Sequence, residues 1–155
     1  MKQVSAALLL ETPEGYLFAH PTGKSYDPGN WDLPKGRIEE YDIRPFDAMV
    51  RELREETGLD FEKDLAPISS SFVCLGLRPY NKVKNLYIFY CKVTETIDIS
   101  KLVCTSTYTN SFGVEVPEHN GYTYSFDLSL LFPKLKIAIR KVLTEYNLNH
   151  EEKES

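Results

Sequence analysis

Cysteine is scarce and shows no pairing pattern: Cys74, Cys91 and Cys104 are odd in number, widely spaced and without a C-x-x-C pair. That argues against a disulfide framework or a cysteine-based zinc site and reads as buried thiols in a reducing, cytoplasmic compartment. No apolar run approaches the ~20 residues needed to cross a bilayer. The opening MKQVSAALLLE is cut short by Glu11 with no convincing cleavage site, so it reads as a strand rather than a secretory leader. Basic blocks are missing too, and with a formal net charge of −5 neither duplex DNA nor a membrane surface is an expected partner. No internal repeat or second domain is visible. What remains is 155 residues, 42% hydrophobic and 26% charged, enough for one globular domain with a real core.

The most informative stretch is WDLPKGRIEEYDIRPFDAMVRELREETGL, Trp31 to Leu59. Glu52, Glu55 and Glu56 stand at i, i+3 and i+4, which puts three carboxylates on one side of a helix. Like charges so placed repel, and a divalent metal is the natural compensation. The opposite side offers Phe46, Met49 or Val50, and Leu53, a stripe that fixes the helix to a core. One face is then held while the acidic face reaches solvent. Asp42 reads as the N-cap, Pro45 suits a first turn and Gly58 can stop the helix, which gives a span of roughly 43–57. Leu33-Pro34-Lys35-Gly36 breaks regular structure and leads a loop to the helix start.

These residues resemble the Nudix box, G-x5-E-x7-R-E-U-x-E-E-x-G-U with U bulky and aliphatic. Gly36, Arg51, Glu52, Leu53, Glu55, Glu56, Gly58 and Leu59 match in kind. Two departures stand in the first half: the first glutamate falls on Asp42, and eight residues rather than seven separate it from Arg51. The resemblance implies an α/β fold, a Nudix α/β/α sandwich with a central mixed sheet. It also implies a metal site of Glu52, Glu55 and Glu56 with the backbone carbonyl of Gly36. Mg²⁺ suits these hard oxygen ligands, with Mn²⁺ as the second choice. The implied reaction is attack of metal-activated water on a pyrophosphate.

Around that centre the roles are less sharply drawn. Arg51 is expected to orient the glutamates through charge-assisted hydrogen bonds, with Asp42 assisting from behind. The general base is open among Glu52, Glu55, Glu115 and Glu118. Many Nudix enzymes take a further acidic residue from a later loop, and Glu115 or Glu118 can supply it. Lys35 and Arg37 are candidates for phosphate oxygens, as is Lys84, while Tyr80 or Tyr87 can stack on a base. For each of these a plain surface role is the competing reading.

The flanks complete the domain. Residues 4–10 and 16–20 read as a hairpin around Thr12-Pro13-Glu14-Gly15. Residues 21–30 form a breaker-rich, mobile loop that borders the substrate. Gly23-Lys24-Ser25 is not a P-loop, because Phe18 stands where that motif needs a glycine. His20, alone at a strand end, reads as structural. Residues 61–69 look irregular, 70–77 and 86–93 read as strands, and their connection is placed to reach over the acidic helix. Residues 102–124 suggest a loop with a short returning strand. A last helix from Pro133 buries Leu135, Ile139, Val142, Leu143 and Tyr146. The expected domain spans residues 1–148, followed by a charged, frayed tail over 149–155.

Trp31-x-x-Pro34-Lys35-Gly36 resembles the approach to the box in bacterial-type diadenosine polyphosphate hydrolases, and also in RNA 5′-pyrophosphohydrolases. A dinucleoside polyphosphate therefore ranks first as substrate. ADP-ribose or nucleotide sugars, nucleoside triphosphates and RNA 5′ ends stand as alternatives. A catalytically silent, nucleotide-binding regulator is the reading from another class. The scattered tyrosines do not choose between a monomer and a dimer.

Overall fold

The computed structural model describes residues 2–148, so the expected tail over 149–155 lies outside the described residues. Strand β1 (Gln3–Thr12) is the middle of the molecule. Its segment Ala6–Leu10 has no exposed surface, as expected of a strand covered on both faces. It turns at Pro13-Glu14 into β2 (Gly15–Pro21). The chain then crosses through a long loop to the short β3 (Lys35–Arg37), which pairs antiparallel with β1. Helix α1 (Pro45–Thr57) follows, then the hairpin β4 (Ser69–Pro79) and β5 (Lys84–Val93). Strand β5 runs parallel to β1. A parallel pair needs a crossover, and this one carries α1 over one face of the sheet.

A ribbon of β6 (Thr107–Thr109) and β7 (Glu115–Pro117) precedes β8 (His119–Ser125), which closes the sheet beside β2. Helix α2 (Pro133–Glu145) covers the other face. The result is a mixed sheet in the order β4-β5-β1-β2-β8, with β3 added beside β1. Each face carries its own core. Ala6, Leu8, Leu10 and Leu17 pack with Ala48, Met49 and Leu53 under α1. Leu9, Phe18, Ile88 and Tyr90 pack with Leu135, Ile139 and Val142 under α2. Each of the larger aliphatic and Phe side chains stabilises the fold by ~1.5–3 kcal/mol relative to exposure.

Several expectations need correction. Helix α1 begins at Pro45 after Arg44, and Asp42 is not its cap. Asp47 serves that end instead, accepting from the Arg44 backbone N–H at 3.0 Å, as the third residue of a capping box does. Residues 61–68 are not irregular but form a π turn over Phe61–Leu65 and a 3₁₀ turn over Ala66–Ile68. Tyr146 is 44% exposed and lies off the α2 stripe. Only Cys91 of the three thiols is buried, Cys74 being exposed and Cys104 half-buried. Among the described residues no helix is long and apolar enough to cross a membrane.

Candidate active site

Of the three glutamates on the acidic side of α1, only Glu55 reaches solvent. Glu52 and Glu56 are 9% and 1% exposed, turned in against the β3 segment rather than out. Gly36 makes that possible, because a Cβ there would stand 2.0 Å from the Glu52 carboxyl carbon. Any side chain at this position would displace the carboxylate. Next along β3, the Lys35 backbone N–H donates to Glu56 Oε1 at 3.0 Å.

Arg51 settles the account of the altered first half of the box. Its guanidinium grips Asp42 through two bonds, Nε to Oδ1 at 3.2 Å and a second nitrogen to Oδ2 at 2.8 Å. It also donates to Glu52 Oε1 at 2.8 Å and to the Arg37 backbone carbonyl at 3.0 Å. Glu55 Oε2 is reached more loosely, at 3.5 Å. Asp42 is drawn from the helix start because a forked, charge-assisted pair is stronger than a bond to a neutral N–H. Its carboxyl is held below the usual range, first by the hydrogen bond from Arg51. The shorter acid and the extra loop residue therefore still deliver a carboxylate to Arg51.

Glu56, one turn on, has a different environment. Burial, against the pull of the Lys35 backbone N–H and with Glu52 and Asp32 adding to it, raises its carboxyl to about 10. The Lys35 ammonium is not free to compensate it fully, since it pairs with Asp32 at 3.1 Å. Burial also raises Glu52, against the pull of Arg51.

The returning segment brings two more groups here. Glu118 is anchored by its backbone: its N–H donates to Ser106 at 2.9 Å, and its carbonyl accepts from Thr22 at 3.0 Å. Burial and then Glu55 raise its carboxyl. Beside it stands His119, 7% exposed. One ligand atom from each of Glu56, Glu118 and His119 lies within 4.8 Å of the other two. Burial holds the His119 imidazole below its usual value, toward the neutral form. Nothing in the sequence reading singled out His119; its place directly after a candidate acid was the available signal.

Of the two loop acids, then, Glu118 reaches the centre and Glu115 does not. Glu115 is exposed on β7, paired with Thr109 across the ribbon. Lys35 reaches the site, whereas the Arg37 side chain is exposed and its contribution is the backbone carbonyl that Arg51 uses. Tyr80 packs against the α2-side core, and both it and Lys84 lie within electrostatic reach of Lys35 and Asp32. Tyr87 belongs to the opposite face, stacked on Phe89 at 5.6 Å against the α1-side core. Alternation along β5 separates Tyr87 from Lys84 and the phosphate candidates.

The breaker-rich loop over 21–30 is bonded rather than loose. His20 stacks on Tyr26 at 3.7 Å, and its ring nitrogens lie 2.6 Å from Asn120 Oδ1 and 3.0 Å from the Ser25 carbonyl. The Tyr108 hydroxyl donates to the Thr22 carbonyl at 3.2 Å. His20 thus ties the loop to β8.

These residues fit a divalent cation. Several carboxylates converge where only part of their charge is balanced, and a buried imidazole nitrogen of His119 has no hydrogen-bond partner among the described residues. Comparison with known proteins accords with that chemistry. The NUDIX domain family model matches residues 1–103. An uncharacterized 17.7 kDa protein from the e-segB intergenic region of Enterobacteria phage T4 is 32% identical over 128 residues, covering 79% of this chain and 81% of its own length. Among solved structures, the Nudix domain of Shewanella oneidensis NrtR complexed with ADP ribose aligns with a TM-score of 0.59 at 14% identity, covering 94% of this chain and 88% of that one. An ADP-ribose pyrophosphatase from Streptococcus suis aligns with a TM-score of 0.58 at 16% identity, covering 97% and 96%. These structures are alike in fold.

The chain belongs to the NUDIX domain family. It is a hydrolase acting on pyrophosphate bonds, in a family whose hydrolases use divalent cations.

Proposed function

We propose that the protein is a divalent-metal-dependent pyrophosphohydrolase that cleaves a nucleoside diphosphate linked to a second moiety, with a dinucleoside polyphosphate as preferred substrate. The observation that carries the reaction class is the convergence of Glu52, Glu56 and Glu118 around the Gly36 cradle, with Arg51 fixing Glu52 from behind. Glu52, Glu55, Glu56, Glu118 and the Gly36 carbonyl are the groups that would hold Mg²⁺ or Mn²⁺. When bound, the cation lowers the pKa of a water and neutralises charge developing on the pyrophosphate.

The chain's own groups do the rest. Arg51 holds Glu52 Oε1 in one orientation, so the carboxylate needs little rearrangement during reaction. Glu55 leans on Arg51 only through Oε2, at 3.5 Å, which leaves Oε1 to accept the proton of the attacking water. Lys84, and Lys35 alongside its pairing with Asp32, would bind phosphate oxygens. Burial, and then Lys35, hold the Lys84 ammonium below its ordinary pKa. Two cations brought together beside an acidic centre favour an extended polyphosphate that reaches both.

A turnover screen tests this reading: diadenosine polyphosphates, ADP-ribose, nucleoside triphosphates and 5′-triphosphorylated RNA, each with Mg²⁺ and with Mn²⁺. Cleavage of diadenosine polyphosphates with the highest kcat/KM, abolished by Glu56→Gln, is expected. Preference for ADP-ribose or an RNA 5′ end would replace the substrate and keep the reaction. Tight nucleotide binding with no turnover in either metal would replace the enzyme with a silent regulator.

A further inference from the structure

Among the described residues two buried histidines lie close together, and they are treated differently. His20 has an oxygen partner at each ring nitrogen, at 2.6 and 3.0 Å. His119 is 7% exposed, yet its Nδ1 is buried with no hydrogen-bond partner among the described residues. The nearest charged oxygen, Glu56 Oε1, is 3.8 Å away, beyond hydrogen-bond distance. A histidine kept for structure looks like His20. One whose unpartnered Nδ1 faces the Glu56 carboxyl, with Glu118 in the same cluster, has the arrangement of a metal ligand.

The backbone shows how the nitrogen is aimed. Strand β8 pairs with β2 in regular register from Ser125 back to Gly121, opposite His20; the next pair is Pro21 with His119. Asn120 is therefore an extra residue. This bulge turns Asn120 onto His20 and leaves His119 facing Glu56. Bulges beside active sites re-aim side chains in this way.

We propose that His119 is a nitrogen ligand of the divalent-cation site, so that the centre is a mixed carboxylate–imidazole site rather than an all-oxygen one. This rests on the metal-dependent reading above. Glu56 and Glu118 supply the oxygens of the same corner, within 4.8 Å of the imidazole. All-oxygen sites suit Mg²⁺ and Mn²⁺ alike, whereas an imidazole nitrogen suits transition ions rather than Mg²⁺. The inference therefore extends to metal choice: His119 tilts this site away from Mg²⁺ and toward transition ions, for which Mn²⁺ serves as the paramagnetic probe.

The test is pulsed electron paramagnetic resonance on Mn²⁺ bound to the metal-stripped full chain, with natural histidine and with ¹⁵N-labelled histidine. The expected spectrum shows an imidazole ¹⁴N coupling that changes to the ¹⁵N pattern on labelling. In His119→Gln the coupling disappears. The variant's Mn²⁺ affinity falls by ~10–100-fold, while its Mg²⁺ affinity changes much less. Circular dichroism and thermal unfolding show whether it is folded, and the labelled wild type gives the answer without it. Bound Mn²⁺ without histidine coupling, or coupling that persists in His119→Gln, would overturn the assignment while leaving metal dependence intact. Failure to bind Mn²⁺ at all would overturn both.

Discussion

Two carboxylates on α1, one turn apart, are both buried and are compensated in opposite ways. Glu52 has a counter-charge from its own chain, in Arg51, which is itself locked by Asp42 and the Arg37 carbonyl. Glu56 has one backbone N–H at 3.0 Å and otherwise faces Glu52, Asp32, Glu118 and an unpartnered His119 nitrogen. The first half of the site is neutralised by the chain's own cation, and the second half is where a divalent cation would supply the missing positive charge. A protein can thus fix the geometry of a metal centre with one internal ion-pair network and leave the adjoining corner under-neutralised to draw the ion in.

The largest effect expected from breaking this contrast is on turnover. Glu56→Gln keeps the shape and removes the charge that needs the cation, so kcat should fall by roughly a thousand-fold, ~4 kcal/mol at 1.36 kcal/mol per decade. Steady-state kinetics on the best substrate would check it, and near-normal turnover would contradict it.

Arg51→Gln attacks the half neutralised from within and should act on folding. It strands Asp42 and Glu52 without their cation, and loss of one partner of this half-buried network costs ~1–3 kcal/mol, measurable by urea unfolding. The pH dependence has a definite sign. Asp42 is depressed in the fold by Arg51, so its stabilising contribution is full above the unfolded carboxylate value of 3.8. It is lost as pH falls through the lower folded value. The gap between wild type and Arg51→Gln should therefore narrow on acidification below that point.

Gly36→Ala should have the mildest effect of the three. It places a methyl where the Glu52 carboxyl stands and should lower kcat by ~10–100-fold, as loss of ligand support does, with little change in the urea midpoint.

The sequence made one half of this contrast easier to read than the other. The spacing of the three glutamates, the core stripe with Met49 and Leu53, and Gly58 as the left-handed stop are local patterns, and they placed α1 within two residues at its start. The strands were legible too, β1, β2 and β5 as near-continuous apolar runs covered on both faces and β4 as an alternating one. Burial of Glu52 and Glu56 was not legible, because it depends on Gly36 being delivered beside the helix by pairing with Ala6. Asp42 has the chemistry of a cap, and only the tertiary approach of Arg51 shows that a stronger partner takes it. Choosing Glu118 over Glu115 required the position of β8, and Tyr87 fell on the wrong face by the strand's own alternation. His119 was hidden for the same reason: its direction comes from a bulge opposite Pro21 that no local pattern announces.

The measurement that bears most directly on the Glu56 half is thermal unfolding of wild type and Glu56→Gln, each with and without a divalent cation. If Glu56 is the charge that the cation balances, the metal-free variant should melt above the metal-free wild type. Saturating Mn²⁺ or Mg²⁺ should then raise the wild type's Tm by several degrees and the variant's much less. Equal metal-free melting temperatures, with an equal shift on adding metal, would contradict the account.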